Sequence, residues 1–327
     1  PEHMIGAMTE TPLSGARELE DAGGLSLWAA HLPGVTPAPL RLLAVQEDDD
    51  RIAVVDHSEI PLAEASPALL VADPFTFPVD ALLAQMNRID SPPTVVGGLA
   101  SGGRGPGEHV LFSDGGVVRE GAVGVALVGA EMTPVVSQGC APIGPDMVIT
   151  DAEGAVIHTL AGTPATAKLD SVLADLTDDE RELARGGLLA GLVINENQPD
   201  YERGDFLIRG IHGADPEQGA LVIGEQVRIG QTLRFHVRDA GSATEDLDEA
   251  LTHAREALDG RAAGALVFTC NGRGTRMFGA PDHDAAAVSE SLSSPALAGM
   301  FCNGEIGPVG GKNFLHGFTA TMAVFSS

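Results

Sequence analysis

A chain of 327 residues with 44% hydrophobic content has material for one large core or two moderate ones. Asp and Glu outnumber Lys and Arg by 46 to 19, a formal charge of −27, and a surface this acidic stays soluble and makes nucleic acid and membrane surfaces poor partners. No apolar run reaches the roughly 18 residues of a membrane helix, the longest (187–194) being strand-sized, and no secretory signal is visible.

Three cysteines cannot all pair, which fits reduced thiols in the cytoplasm. The basic residues are almost all Arg, and Ala and Gly are abundant, as in high-GC bacterial proteins.

In chain order, residues 1–4 read as a cloning remnant. IGAMTE (5–10), a glycine-containing stretch and LSLWAAHLPG (25–34) then look like the second half of a unit whose strand and helix are missing. ALLVADPFTFPVDALLAQMN (68–87), PTVVGGLASGG (93–103), HVLFSDGGVV (109–118) and AVGVALVG (122–129) predict strand, helix, strand ending in glycines, hairpin. In that helix Val79, Leu82, Leu83 and Met86 share one face after Pro78. Thr177 to Glu180 has capping-box form, and Gly186 closes the helix that follows. Apolar runs at 206–211, 219–224 and 232–237 read as an antiparallel meander. Leu247, Leu251, Ala254 and Leu258 form a helical stripe ended by Gly260.

The last sixty residues repeat the layout of 68–129: ALVFTCNGRGTRMFG (265–279), a short helix, then ALAGMFCNGEIGPVGGKNFLHGFTATMAVF (296–325). The order of elements implies internal duplication. The expected fold class is α+β (mixed α/β): stacked, mostly antiparallel sheets with helices on the outer faces, built from repeated strand–helix–strand–hairpin units. The hairpin at 113–116 argues against a doubly wound parallel sheet.

Glycines bracket Arg273 and Glu305 directly after strands, as in a site built from loops at strand ends. Arg273 either holds a ligand carboxylate or phosphate through two parallel hydrogen bonds or fastens its own loop. With Glu305 it suits a zwitterion, Arg273 on the carboxylate and Glu305 on the ammonium; equally, the two pair with each other. Cys270 and Cys302, each followed by AsnGly (Asn271, Asn303), are small buried residues or, with His316 as base, nucleophiles. Cys140 has the weaker case. The glycine-rich loop 97–107 lacks the Lys-Ser/Thr of a phosphate loop and is a surface loop or a ligand lid with Ser101 and Arg104 as polar contacts. Asp282, His283 and Asp284 are adjacent, a poor metal set, with Asp282 better placed as a helix cap; no metal motif occurs, and no metal is expected.

The blocks TVVGGLASGG with FSDGGVVREGAVGVALVG (94–129), VSQGCAPIGPDMVITDAEGAVIHTLAGTPA (136–165), FTCNGRG (268–274) and AGMFCNGEIGPVGGKNFLHGFTATM (298–322) resemble the FIST proteins, an N-terminal FIST domain (1–165) followed by a C-terminal one (166–327). The family's N-terminal domain has a strand and helix ahead of the region matching IGAMTE, which this chain lacks. The resemblance implies a cytoplasmic sensory or signal-transduction protein for a small ligand such as an amino acid or other small carboxylate; no cofactor is expected. The expected ligand residues are Arg273, Glu305, Cys270, Asn271, Cys302, Asn303, His316, Ser101 and Arg104. No kinase, cyclase or DNA-binding module is attached, so output passes through a separate signalling partner or a change in assembly, a homo-oligomer included, and requires a ligand that binds two states with different affinity. The alternatives are a haem-based gas sensor, with His316, His212 or His236 as axial ligand, and an enzyme using Cys270 or Cys302 with His316 and Glu305.

Overall fold

Two parallel strand pairs organise the larger part of the chain. Ala68–Ala72 runs beside Val95–Leu99, and Ala262–Cys270 beside Leu297–Cys302. A helix joins each pair, Val79–Met86 in the first and His283–Leu292 in the second. The computed structural model describes residues 3–48, 51–201, 204–258, 262–293 and 296–326.

The first pair lies in a seven-stranded sheet, in the order 312–316, 305–309, 95–99, 68–72, 122–128, 36–48, 51–56. The second lies in a six-stranded sheet: 132–138, 319–326, 262–270, 297–302, 12–14, 17–18. Successive side chains on a strand point to opposite faces, so each sheet is apolar on both. Leu70 and Ala72 join Val79, Leu82, Leu83 and Met86 in one core, while Leu69, Val71, Val96 and Val123 pack with Phe268, Met300, Ala323 and Phe325 of the other sheet. On the far side, Ala265, Val267 and Met322 meet Leu247, Leu251 and Ala254 of the helix Ala240–Ala257 and Val288 and Leu292 of the helix His283–Leu292. Two stacked sheets with helices outside result, as the repeated units imply. Burying each of these larger side chains stabilises the fold by about 1.5–3 kcal/mol.

The duplicated order is visible, with one exchange. The hairpin Glu305–Val309/Lys312–His316 of the second repeat extends the sheet of the first, through Glu305 opposite Gly98 and Ile306 opposite Gly97. The hairpin that turns at 113–116 forms as expected, Ser113 opposite Gly116, in a small sheet with Gly6–Ala7. Residues 25–34 carry no strand. One aromatic anchor holds this stretch instead of a ladder: Trp28 stacks on Phe325 at 5.3 Å and donates to the Ala296 carbonyl, leaving Leu25 and Leu27 exposed. Of the first four residues, 1 and 2 lie outside the described residues, while His3 and Met4 both bond Asp114.

The chain divides into two compact units, one from residues up to Ser137 and from Asp246 onward, the other from Gln138–Glu245. The second unit is a seven-stranded sheet in the order 140–153, 232–238, 188–193, 206–215, 220–223, 156–160, 163–164. Its order corrects the expected meander. Phe206–Asp215 and Ala220–Ile223 do pair, but Thr232–Arg238 leaves them and inserts between Leu188–Val193 and Cys140–Glu153, where Leu233, Phe235 and Val237 are fully buried. Thr177 and Glu180 form the capping box, and Gly186 stands at the C-cap. Gly260, expected to end the helix Ala240–Ala257, lies outside the described residues. No described helix is long and apolar enough to cross a membrane.

Candidate functional site

Cys270 and Cys302 are register partners at the carboxyl ends of the parallel strands in the six-stranded sheet. Beyond them the Asn271 amide donates to the Cys302 carbonyl (3.0 Å), and the Asn271 side chain donates to Asn303 Oδ1 (2.8 Å). The Asn303 side chain donates to the Ala100 carbonyl (3.1 Å), which ties these ends to the neighbouring parallel pair. Arg273 turns back by donating its amide to the Cys270 carbonyl (2.9 Å).

The Arg273 guanidinium is buried and grips Asp284, Nε to Oδ2 at 2.6 Å and Nη2 to Oδ1 at 2.8 Å. Thr269 Oγ1 donates to the same carboxylate (2.6 Å), His283 Nδ1 lies 2.9 Å from it, and the Phe278 ring stacks on His283 and carries the Arg273 guanidinium 5.1 Å from its centroid. Burial alone would push Asp284 up, but the Arg273 charge, with hydrogen bonds from Arg273, His283 and Thr269, outweighs it and holds the carboxyl below the usual range. Arg273 Nη1 has no hydrogen-bond partner among the described residues.

Glu305 is fully buried too. Its Oε2 accepts from Thr319 Oγ1 (2.8 Å) and the Thr319 amide (3.3 Å). Oε1 has no N–H or O–H partner among the described residues, and the Cys270 thiol is its polar neighbour. Burial pushes the carboxyl up to about 8, against the opposing pull of Thr319, Arg273 and Cys270, so the protonated form of Glu305 is favoured far above the ordinary carboxylate range. Burial and then the Glu305 charge push Cys270 up to about 12, and Cys302 also rises well above its ordinary value.

Residues 1–163 match the FIST N domain and residues 167–308 the FIST C domain. The chain belongs to the FIST family. Uncharacterized protein Mb0898c of Mycobacterium bovis and uncharacterized protein Rv0628c of Mycobacterium tuberculosis are each 43% identical to it, over 326 and 325 residues, 99% of this chain and 83% and 84% of theirs. FIST domains are associated with signal transduction and small-ligand sensing.

Of the nine residues expected to form the FIST ligand site, Cys270, Asn271, Arg273, Cys302, Asn303 and Glu305 gather at these strand ends. His316 is the cross-strand partner of Glu305, its Nε2 at 3.0 Å from the Gly307 carbonyl. Ser101 is buried and fastens backbone, donating to the Phe301 carbonyl (2.7 Å) and accepting from the Glu10 amide (2.9 Å). Arg104 is exposed, and its amide donates to Glu108. His212 and His236 belong to the other unit; His236 is buried against Phe206, and burial lowers it to about 4.

Sequence reasoning missed Asp284, Thr269, Thr319 and Glu18. Asp282 stands at the helix N-cap, but its carboxylate does not cap. It takes the Glu18 amide (2.7 Å) and pairs with Arg17 (2.9 Å), while Glu18 Oε1 accepts the Ala285 amide (2.9 Å) at the start of that helix. Burial raises Glu18 to about 7. Only the Asp-His-Asp triplet flagged this turn, and its spacing gave no sign that Asp284 points inward.

Proposed function

We propose that this FIST protein is a cytoplasmic sensory protein whose ligand, a small carboxylate or an amino acid, binds at the strand ends around Arg273 and Glu305. One observation carries the reading: at the ends of parallel strands, buried Arg273 Nη1 has no hydrogen-bond partner among the described residues, and buried Glu305 Oε1 has no N–H or O–H partner there, only the Cys270 thiol beside it. Leaving such a group unmatched costs about 1–3 kcal/mol, and a ligand supplying the partner recovers it. Ends of parallel strands are also where open sheets place ligands. Output then passes to a separate partner or through a change of assembly, homo-oligomers included.

Protonated Glu305 sharpens the ligand chemistry. It donates a hydrogen bond to a carboxylate, whereas an ammonium group requires its ionised form. A plain carboxylate therefore binds best below about pH 8, and an amino acid whose ammonium meets Glu305 binds better above it, while below it the same binding must release the Glu305 proton. Burial that pushes both thiols up favours binding over cysteine catalysis.

The test is calorimetric titration with a panel of amino acids and small mono- and dicarboxylates, on the wild type and Glu305→Gln, on either side of that pH. Saturable binding whose pH dependence disappears in Glu305→Gln is expected. A panel that binds nowhere, or binding that neither Glu305→Gln nor Arg273→Lys alters, defeats the reading.

A further inference from the structure

Beside the carboxyl end of Ala68–Ala72, the first repeat holds a cleft of about 620 Å³ bordered by Arg41, Thr76, Gly107, Val117, Arg119 and Glu120. Its backbone is shaped around one guanidinium. Arg41 Nη1 donates to the Glu120 carbonyl (2.9 Å) and the Ala122 carbonyl (3.3 Å). Gly121, between them, has φ +78°, and a Cβ there would stand 2.3 Å from the Leu42 carbonyl oxygen and 3.1 Å from Nη1.

The floor continues inward as a chain of polar contacts. The Gly121 amide donates to Thr76 Oγ1 (3.0 Å), and Thr76 Oγ1 donates to Asp73 Oδ2 (2.7 Å). Asp73 Oδ1 lies 3.2 Å from His109 Nδ1, and His109 Nε2 accepts the Gly103 amide (3.2 Å) of the glycine-rich loop. Arg119 closes the other side, its Nη1 donating to the Gly107 carbonyl (3.1 Å). Both guanidiniums are thus held by carbonyl oxygens, which orient a cation without cancelling its charge, and no ion pair joins either to a carboxylate among the described residues. Partial burial works against the Arg41 charge, and the Glu120 carboxylate only partly offsets it. In a chain of net charge −27, two arginines at one cleft, faced there by the single carboxylate of Glu120 and with the apolar Val117 beside them, are a local exception.

We propose that this cleft is a second ligand site, which takes a small molecule carrying an oxyanion, phosphate or carboxylate, between Arg41 and Arg119. It is independent of the Arg273 and Glu305 site. The oxyanion accepts from the free guanidinium edges, the valine side takes the apolar remainder, and the contacts through Thr76, Asp73 and His109 link occupancy to the glycine-rich loop.

Amide-detected NMR titration of the full chain with inorganic phosphate, and in a parallel arm with succinate, tests this. Saturable shifts at Gly107, Arg119 and Gly121 are expected, and the arm that saturates at lower concentration identifies the oxyanion. Arg119→Gln, an exposed change that leaves the fold intact, weakens binding about tenfold or more; Arg41→Gln does likewise. Arg228→Gln, exposed on the other unit, leaves it unchanged. The proposal is overturned if neither anion saturates, if Arg119→Gln has no effect, or if Arg228→Gln weakens binding as much as Arg119→Gln, which would be general charge screening.

Discussion

Arg273 pairs with Asp284, not with Glu305: the two-point contact at 2.6 and 2.8 Å buries both side chains completely and ties the glycine-flanked turn to the first turn of the helix His283–Leu292. A buried pair of this kind adds little net stability, but removing one partner strands the other charge away from water. Asp284→Asn is therefore expected to cost about 3–5 kcal/mol in urea unfolding at neutral pH. Replacing both, Arg273→Met with Asp284→Leu, should recover most of that loss. A cost below about 1 kcal/mol for the single change would mean that water reaches the guanidinium.

Glu305 and Glu18 predict how stability depends on pH. Both carboxyls titrate higher in the folded chain than the ordinary 4.5, Glu305 at about 8 and Glu18 at about 7. Between 4.5 and these values the native state holds more protons than the unfolded one, so their contribution is present in full below 4.5 and is lost as pH rises through the folded values. Asp284 acts oppositely, stabilising above its unfolded value of 3.8 and losing that as acid protonates it. Melting temperature is thus expected to fall from about pH 5 to about pH 8, and Glu305→Gln should flatten the upper part of that slope. An unchanged slope would show Glu305 ionised at neutral pH.

How far the sequence was readable follows from the range of each signal. The helix stripe of Val79, Leu82, Leu83 and Met86, the Thr177–Glu180 capping box and the duplicated strand–helix–strand order depend on neighbours within a turn or two, and each is in the structure. Partner choice across the chain is a different matter. Nothing local to Thr232–Arg238 says that it inserts beside Leu188–Val193, and nothing near Glu305 says that its hairpin joins the opposite sheet at Gly98. At the candidate site, glycines flagged Arg273 and Glu305 because backbone turns leave a mark in sequence. Glu18 and Thr319 left no mark, because nothing local tells one buried polar residue from its neighbours in a strand, and Asp284 was visible only in the Asp-His-Asp triplet, which does not say which of the three turns inward.

Thiol reactivity offers a third check. Burial first and the Glu305 charge second push the Cys270 thiol up to about 12 from 9.0, so its thiolate is far scarcer at neutral pH than that of an ordinary cysteine. Cys302 is fully buried with its Sγ 3.6 Å from the Met300 carbonyl. Alkylation of the native protein by iodoacetamide should be slow at both positions and become fast on unfolding, read by peptide mass spectrometry. Rapid native labelling at Cys270, lost in His316→Ala, would restore the cysteine-enzyme alternative.

Gly98 tests whether the sheets depend on close approach at the site. A Cβ there would stand 2.4 Å from Cys302 Sγ, 3.2 Å from Cys302 Cβ and 3.2 Å from the Gly304 carbonyl oxygen. The sulfur is the severe contact, and it sits on a packed strand end without room to retreat. Gly98→Ala is expected to destabilise the protein by about 1–3 kcal/mol through overpacking. Adding Cys302→Ala removes the sulfur but leaves the contact with the Gly304 carbonyl, so it should restore part of that loss. The double-mutant cycle would then show a favourable coupling of at least about 0.5 kcal/mol. Strictly additive effects would place the strain at the backbone, between Gly98 and Gly304, and would make the glycine a requirement of the Glu305 strand pairing rather than of the cysteine.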